Sequence, residues 1–68
     1  MLLKEYRKGA GLTQKEFADK LGKSIHTISK YENGTRVPPT KILELIFSIL
    51  NVTSRQKMDL IREYGKNS

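Results

Sequence analysis

Cysteine is absent from the 68 residues of this chain, and no other feature of the sequence limits the possible folds more. Without thiols, neither a disulfide framework nor a thiolate zinc site can supplement the hydrophobic core. A chain this short buries only about 60% of the surface that it exposes when unfolded, so it has room for one core. We therefore expect a single domain over residues 1–68, stabilised by helix packing or by self-association.

Apolar residues recur at helical spacing along nearly the whole chain, and no stretch alternates as a strand would. Glycine, asparagine and proline residues divide the chain into five short segments. The sequence therefore predicts an all-α fold of five helices. We expect them over Leu2 to about Gly9, Gln14 to a stop at Gly22, the Ser24 cap through Glu32, about Thr40 to Leu50, and Ser54 to Tyr64.

Capping side chains fix several of these boundaries. Thr13 followed three residues later by Glu16 predicts a capping box, in which each side chain accepts a backbone N–H at the start of the second helix. Thr53 and Gln56 repeat the pattern before the fifth helix. Ser24 is a favourable N-cap for the third helix, because its hydroxyl can accept one of the free N–H groups.

The second and third helices are joined by a very short connection, with only Lys23 between the break at Gly22 and the cap. Such a connection turns the chain sharply, and the pair forms a helix-turn-helix in which Ala18 is the small residue at the crossing. On the residues alone, an αα-hairpin without a nucleic-acid role fits equally well. The apolar underside that the two helices share consists of Phe17, Leu21, Ile28 and Tyr31.

The fourth helix is more apolar than one buried face requires. At 100° per residue, its apolar side chains cover an arc of roughly 200°. The fifth helix is predicted to turn Leu60, Ile61 and Tyr64 inward. Either the fifth helix and the termini cover the surplus area within one chain, or a second copy does so in an isologous contact. The residues expected in that dimer interface are Leu43, Phe47, Leu50, Met58 and Leu60.

The charge balance favours an anionic partner. The chain carries 13 Lys and Arg against 7 Asp and Glu, so the formal net charge is +6 at pH 7. One histidine, no cysteine and no phosphate-binding glycine motif leave nothing from which to build a catalytic or metal site. We expect no enzyme activity, cofactor or metal. The opening residues MLLKEYRK place charges where a secretory signal is apolar, which favours a cytoplasmic protein with no membrane partner.

A longer stretch of the sequence points to a known family. The residues GLTQKEFADKLG from Gly11 to Gly22, followed by SIHTISKYENG from Ser24, resemble the phage repressor and Cro type of helix-turn-helix, also called the XRE family. The resemblance extends to Arg7 in the first helix, to Pro39 before the fourth, and to the LNVT link into the fifth. It implies a compact five-helix lambda-repressor-like DNA-binding domain that acts as a bacterial or phage transcription regulator.

A helix-turn-helix inserts its second helix into the major groove, so the first turn and outward stripe of the third helix here would face base edges. The expected base contacts are Ile25, His26, Thr27, Ser29 and Lys30. Phosphates are expected at the start of the second helix and just beyond the third, on Thr13, Gln14, Asn33, Thr35 and Arg36. The resemblance also implies an orienting salt bridge between Arg7 and Glu32.

Two of these base contacts have plainer interpretations. For Lys30, a phosphate contact or a solvated helix face fits as well as a base contact does. For His26, a surface imidazole without a role stays open.

One recognition helix reads only about four to six base pairs, so such modules usually bind as two-fold dimers on half-sites about one helical turn apart. The leading prediction is therefore a homodimer that binds a pseudo-palindromic site in double-stranded DNA and regulates transcription as a repressor. The alternative is an antitoxin-like or anti-repressor-like module, which would use the apolar face of the fourth helix to bind a protein partner.

Overall fold

The computed structural model describes residues 1–65, and within them it contains helices and no strand. The predicted all-α class is confirmed. The predicted starts of the first, second, fourth and fifth helices are confirmed too, and the third and fifth helices each extend one residue further than predicted. The helices are α1 (Leu2–Gly9), α2 (Gln14–Leu21), α3 (Ile25–Asn33), α4 (Thr40–Leu50) and α5 (Ser54–Gly65).

Both predicted capping boxes are present. The backbone N–H of Glu16 donates to Thr13 Oγ1 at 3.0 Å, and the Thr13 N–H donates to Glu16 Oε1 at 2.9 Å. The hydrogen bonds from Thr13 favour the ionised carboxylate, so the pKa of Glu16 is lowered. Thr53 and Gln56 make the same pair of bonds at the start of α5. These caps fix where the connecting segments end and the helices begin.

The core is assembled from all five helices. Ala18, at the crossing of α2 and α3, is 2% exposed, which lets the two helix axes approach closely. Ile61 is 51% exposed, so the prediction that it faces inward is wrong. The buried line of α5 runs through Leu60 and Tyr64, four residues apart, and Ile61 lies about 100° away from Leu60 on the helix. The core side chains are Leu3, Phe17, Ala18, Leu21, Ile28, Tyr31, Ile46, Leu50, Leu60 and Tyr64.

Tyr64 is the buried residue with the clearest consequence for pH dependence. Burial, with the nearby carboxylates of Glu63 and Glu32, raises the pKa of its phenol above the ordinary value for tyrosine. Below about pH 10 the phenol is protonated in the folded and the unfolded chain alike, so its full contribution to stability is present. Above that pH the unfolded chain releases the proton first, and this favours unfolding.

We therefore expect the stability advantage of the wild-type protein over Tyr64→Phe to shrink as the pH rises. Urea unfolding of both proteins at about pH 8 and about pH 10.5 measures this difference directly, because the lysines and Tyr6 are common to both. A difference in the free energy of unfolding that is the same at the two pH values would contradict the expectation.

Candidate nucleic-acid interface

The turn between α2 and α3 sets the geometry of the candidate interface. Gly22 ends α2 in the left-handed conformation, with φ of 67°, which a side chain would disfavour. Ser24 caps α3, and its Oγ accepts the backbone N–H of Thr27 at 3.2 Å. Because the connection is so short, the start of α3 has little freedom relative to α2.

The helix α3 divides its residues between the core and solvent. Ile28 and Tyr31 are buried beneath it, together with Glu32. The predicted base contacts lie on the other side or in the first turn: four of them are exposed, and Thr27 is half-buried with its hydroxyl 3.1 Å from the Ser24 hydroxyl. The four exposed residues are Ile25, His26, Ser29 and Lys30.

A buried ion pair connects α1 to the last turn of α3. Arg7 Nε donates to Glu32 Oε2 at 2.5 Å, and the two side chains are 6% and 4% exposed. Arg7 Nη1 also donates to the carbonyl oxygen of Leu12 at 2.7 Å, in the segment that leads into α2. The pair implied by the resemblance is thus formed, and its burial makes it a structural link between three parts of the chain.

Gln14 joins the same network. Its Nε2 donates to Glu32 Oε1 at 2.9 Å, so the first residue of α2 is linked to the last turn of α3. This contact was not predicted from the sequence, because an amide eighteen residues away along the chain gives no local signal. Gln14 is half-buried, with part of its side chain still accessible.

The residues beyond α3 form a compact turn. Asn33 Oδ1 accepts from the Thr35 N–H at 3.0 Å and from the Thr35 hydroxyl at 2.7 Å. Asn33 and Arg36 are both exposed. Thr13 is exposed as well, at the N-terminus of α2. Four of the five predicted phosphate contacts are therefore exposed, and Gln14 is half-buried.

Lys4 is a cation near this surface that the sequence analysis did not identify. It lines a shallow pocket with Gln14, Ser29 and Asn33, which brings α1 next to α2 and α3. The available signal was its position three residues before Arg7, because residues at that spacing share one side of a helix.

The predicted dimer residues separate into two groups. Leu60 is 0% exposed and Leu50 is 9% exposed, so both belong to the core and their assignment to a dimer surface is wrong. Leu43 and Phe47 are half-buried, and Met58 is 54% exposed. Leu50 lies four residues after Ile46, so both side chains are on the buried side of α4.

Lys57 of α5 makes a contact with Phe47 of α4. Lys57 Nζ lies 5.7 Å from the centroid of the Phe47 ring, within the range of a cation–π contact. Glu44 and Ser48 line a pocket next to this contact, together with Val52.

The described helices include none that is both long and apolar enough to cross a membrane, and residues 1–65 bring together no cluster of metal-ligating side chains.

The sequence matches known proteins over the segment that includes α2, the turn and α3. The helix-turn-helix family model matches residues 3–56. Antitoxin PezA of Streptococcus pneumoniae is 41% identical over 51 residues, which are 75% of this chain and 32% of the antitoxin. The HTH-type transcriptional regulator ImmR of Bacillus subtilis is 42% identical over 52 residues, which are 76% of this chain and 41% of the regulator.

A relative of similar length also matches. YazB of Bacillus subtilis, an uncharacterized HTH-type transcriptional regulator, is 33% identical over 52 residues, which are 76% of this chain and 75% of YazB. The match spans less than half the length of PezA and of ImmR. No solved structure matches the chain. The family match and these relatives show that the chain belongs to the helix-turn-helix family of the XRE type, whose members are DNA-binding transcription regulators.

Proposed function

We propose that this protein is a sequence-specific regulator that represses transcription by placing α3 in the major groove of an operator. The observation that carries the proposal is the division of α3, which buries one side in the core and leaves His26, Ser29 and Lys30 exposed on the other. Base edges in the major groove offer donors and acceptors that such side chains can read. A net charge of +6 favours approach to DNA, and operator binding implies a cytoplasmic location.

The exposed side chains of α3 differ in what they can recognise. Lys30 can donate to the O6 and N7 atoms of guanine, and His26 can donate or accept a hydrogen bond. Ile25 can contact the methyl group of thymine. Ser29 can bond to several bases, while Thr27 is held near the cap and offers its methyl group or hydroxyl from the first turn.

Phosphate contacts on both sides of α3 would fix the docking. The free N–H groups at the start of α2 form a site for one phosphate, with Thr13 and Gln14 as side-chain donors. A second phosphate would meet Asn33 Nδ2, Thr35 and Arg36 beyond the end of α3. Since Gln14 also bonds to Glu32, the phosphate site and the recognition helix are held in one rigid arrangement.

Selection of bound sequences from random duplex DNA tests the proposal, because it yields both the preferred site and its symmetry. We expect Lys30→Ala and His26→Ala to lose about 1–3 kcal/mol of discrimination at the base positions that each side chain reads. Gln14→Ala is expected to weaken binding to all sequences alike. Recovery of no preferred sequence by the wild-type protein, or unchanged preferences in both α3 variants, would contradict the proposal.

The edge formed by α4 and α5 is the proposed dimer surface. Leu43 and Phe47 are half-buried on α4, Met58 is exposed on α5, and Lys57 lies over the Phe47 ring. A two-fold contact through this edge would pair two α3 helices for adjacent half-sites.

We expect Met58→Glu to weaken dimerisation by at least about tenfold, because it places a carboxylate from each protomer in an apolar contact. Leu45→Glu is the matched control: Leu45 is exposed on the opposite side of α4. Analytical ultracentrifugation at about 100 µM without DNA compares both variants with the wild-type protein. A wild-type monomer at that concentration, or equal dissociation in the two variants, would exclude this interface.

The similarity to an antitoxin favours a second candidate function. As an antitoxin-like module, the protein would bind a protein partner through the apolar edge of α4, with DNA binding secondary. Affinity purification from the native cell, followed by sequencing of the DNA that is recovered, separates the two functions. A stoichiometric protein partner without enrichment of a DNA site would support the antitoxin-like function.

A further inference from the structure

The last turn of α5 is attached to two other helices. Tyr64 donates its hydroxyl hydrogen to the carbonyl oxygen of Tyr31, in the last turn of α3, over 2.6 Å. One residue earlier, Glu63 Oε1 accepts the backbone N–H of Leu2, the first residue of α1, over 2.8 Å. Both contacts come from beyond residues 3–56, the segment that the family model matches.

The geometry at the end of α3 explains why Tyr31 requires this donor. Gly34 ends the helix with φ of 82°, and the N–H groups of Gly34, Thr35 and Arg36 all donate to the Lys30 carbonyl. The Tyr31 carbonyl receives its hydrogen bond from the Tyr64 hydroxyl. At neutral pH the phenol is protonated, so the hydroxyl is a donor.

Two adjacent residues of α3 are thus anchored from different sides. Tyr31 is anchored through its carbonyl to α5, and Glu32 is anchored through its carboxylate to Arg7 of α1. The short turn to α2 restrains the start of α3, and these two contacts restrain its last turn from the α1 side and the α5 side. The hydrogen bond between Glu63 and the Leu2 N–H joins α5 to α1, so each pair among α1, α3 and α5 is linked by a side-chain contact.

We propose that the last turn of α5 is a positioning element for DNA reading, in which the Tyr64 hydroxyl sets the angle at which α3 enters the major groove. The inference rests on the proposed function of α3 as the DNA-reading helix. Tyr64 is 4% exposed, so it acts through α3 and does not touch DNA. Its loss weakens binding to the preferred sequence, while binding to arbitrary DNA depends on phosphate neutralisation and changes little.

Tyr64→Phe tests this inference, because it keeps the ring and removes the donor. The affinity is measured for a duplex that the wild-type protein selects from a random pool, and for a random-sequence duplex of equal length. Both measurements use one salt concentration and a temperature at which circular dichroism shows every protein folded. We expect a loss of roughly 3- to 30-fold on the selected duplex and less than about twofold on the random one.

Two variants separate positioning from stability. Tyr6→Phe removes a hydroxyl that has no hydrogen-bond partner within residues 1–65, and Ile46→Val loosens the core at α4 without removing a hydrogen bond. Both are expected to keep the wild-type ratio of the two affinities. Equal losses on both duplexes, no loss, or the same ratio change in Ile46→Val as in Tyr64→Phe would overturn the inference.

Two further outcomes are also decisive. If Tyr64→Phe does not fold, Glu63→Met is measured in its place, because it removes the oxygen that accepts the Leu2 N–H. A smaller loss confined to the selected duplex then supports the inference, and an unchanged ratio overturns it. If the wild-type protein selects no duplex, the proposed function itself is overturned. If the wild-type protein selects a duplex and the variant binds it equally well, only the role of α5 in positioning α3 is overturned.

Discussion

Replacing Glu32 by alanine is expected to lower the free energy of unfolding by about 3–5 kcal/mol. The substitution leaves the Arg7 guanidinium buried without its counter-charge, and it removes the acceptor of the Gln14 amide. A domain of ordinary stability has about 5–15 kcal/mol in total, so the variant is close to losing its fold. Urea unfolding at low temperature measures the loss.

An exposed ion pair of the same chain provides the control. Lys15 and Asp19 lie one turn apart on α2, with 3.8 Å between Nζ and Oδ2, and both are largely exposed. Asp19→Ala is expected to cost less than about 1 kcal/mol, because solvent screens that pair. A Glu32→Ala loss as small as the Asp19→Ala loss would contradict the importance of burial.

The double replacement Arg7→Met and Glu32→Leu adds a second test. Apolar side chains of similar volume avoid the cost of burying charge, so most of the lost stability is expected to return. Binding to the preferred DNA sequence is expected to be weaker than that of the wild-type protein, because the double variant lacks the hydrogen bond between Gln14 and Glu32. Full recovery of both the free energy of unfolding and the affinity for the preferred DNA sequence would show that the ion pair has no orienting role.

Raising the salt concentration from 50 to 200 mM is expected to weaken DNA binding by roughly three to five powers of ten, if a dimer makes about six to ten phosphate contacts. The cause is the release of counterions that condense on DNA and are displaced by the bound cations. Fluorescence anisotropy of a labelled duplex across this range gives the slope of log K against log salt. A flat response would exclude phosphate neutralisation as the main source of affinity.

Two arginines show whether the salt effect comes from the proposed surface. Arg36→Ala removes a cation next to the turn after α3, and it is expected to reduce the slope by about 1 per protomer. Arg62 is exposed on α5 and is not one of the proposed phosphate contacts, so Arg62→Ala is expected to leave the slope unchanged. Equal changes in the two variants would indicate that only net charge matters.

The sequence predicted those features whose causes are local. Thr13 with Glu16, and Thr53 with Gln56, lie three residues apart, so each capping box is complete within one turn. The glycine that ends α2 likewise needs no distant partner. Element boundaries were therefore correct to within one residue where caps define them.

Errors arose where the answer depends on which helices pack together. Leu60 was assigned both to the core and to a dimer surface, and only its contacts in the fold decide between them. Ile61 was one residue out of phase with the buried line of α5. The bonds of Gln14 to Glu32 and of Glu63 to Leu2 join residues far apart in the chain, so no spacing rule indicates them.

In α3, the side chains that secure the helix and those that face solvent are different residues. Ile28, Tyr31 and Glu32 hold it in place, while His26 and Lys30 contribute little to the packed interior. Under the proposed function, substitution of the outward residues therefore changes the DNA sequence that α3 reads at little cost in folding stability. The outward side chains of α3 can thus vary while the side chains packed in the core stay the same.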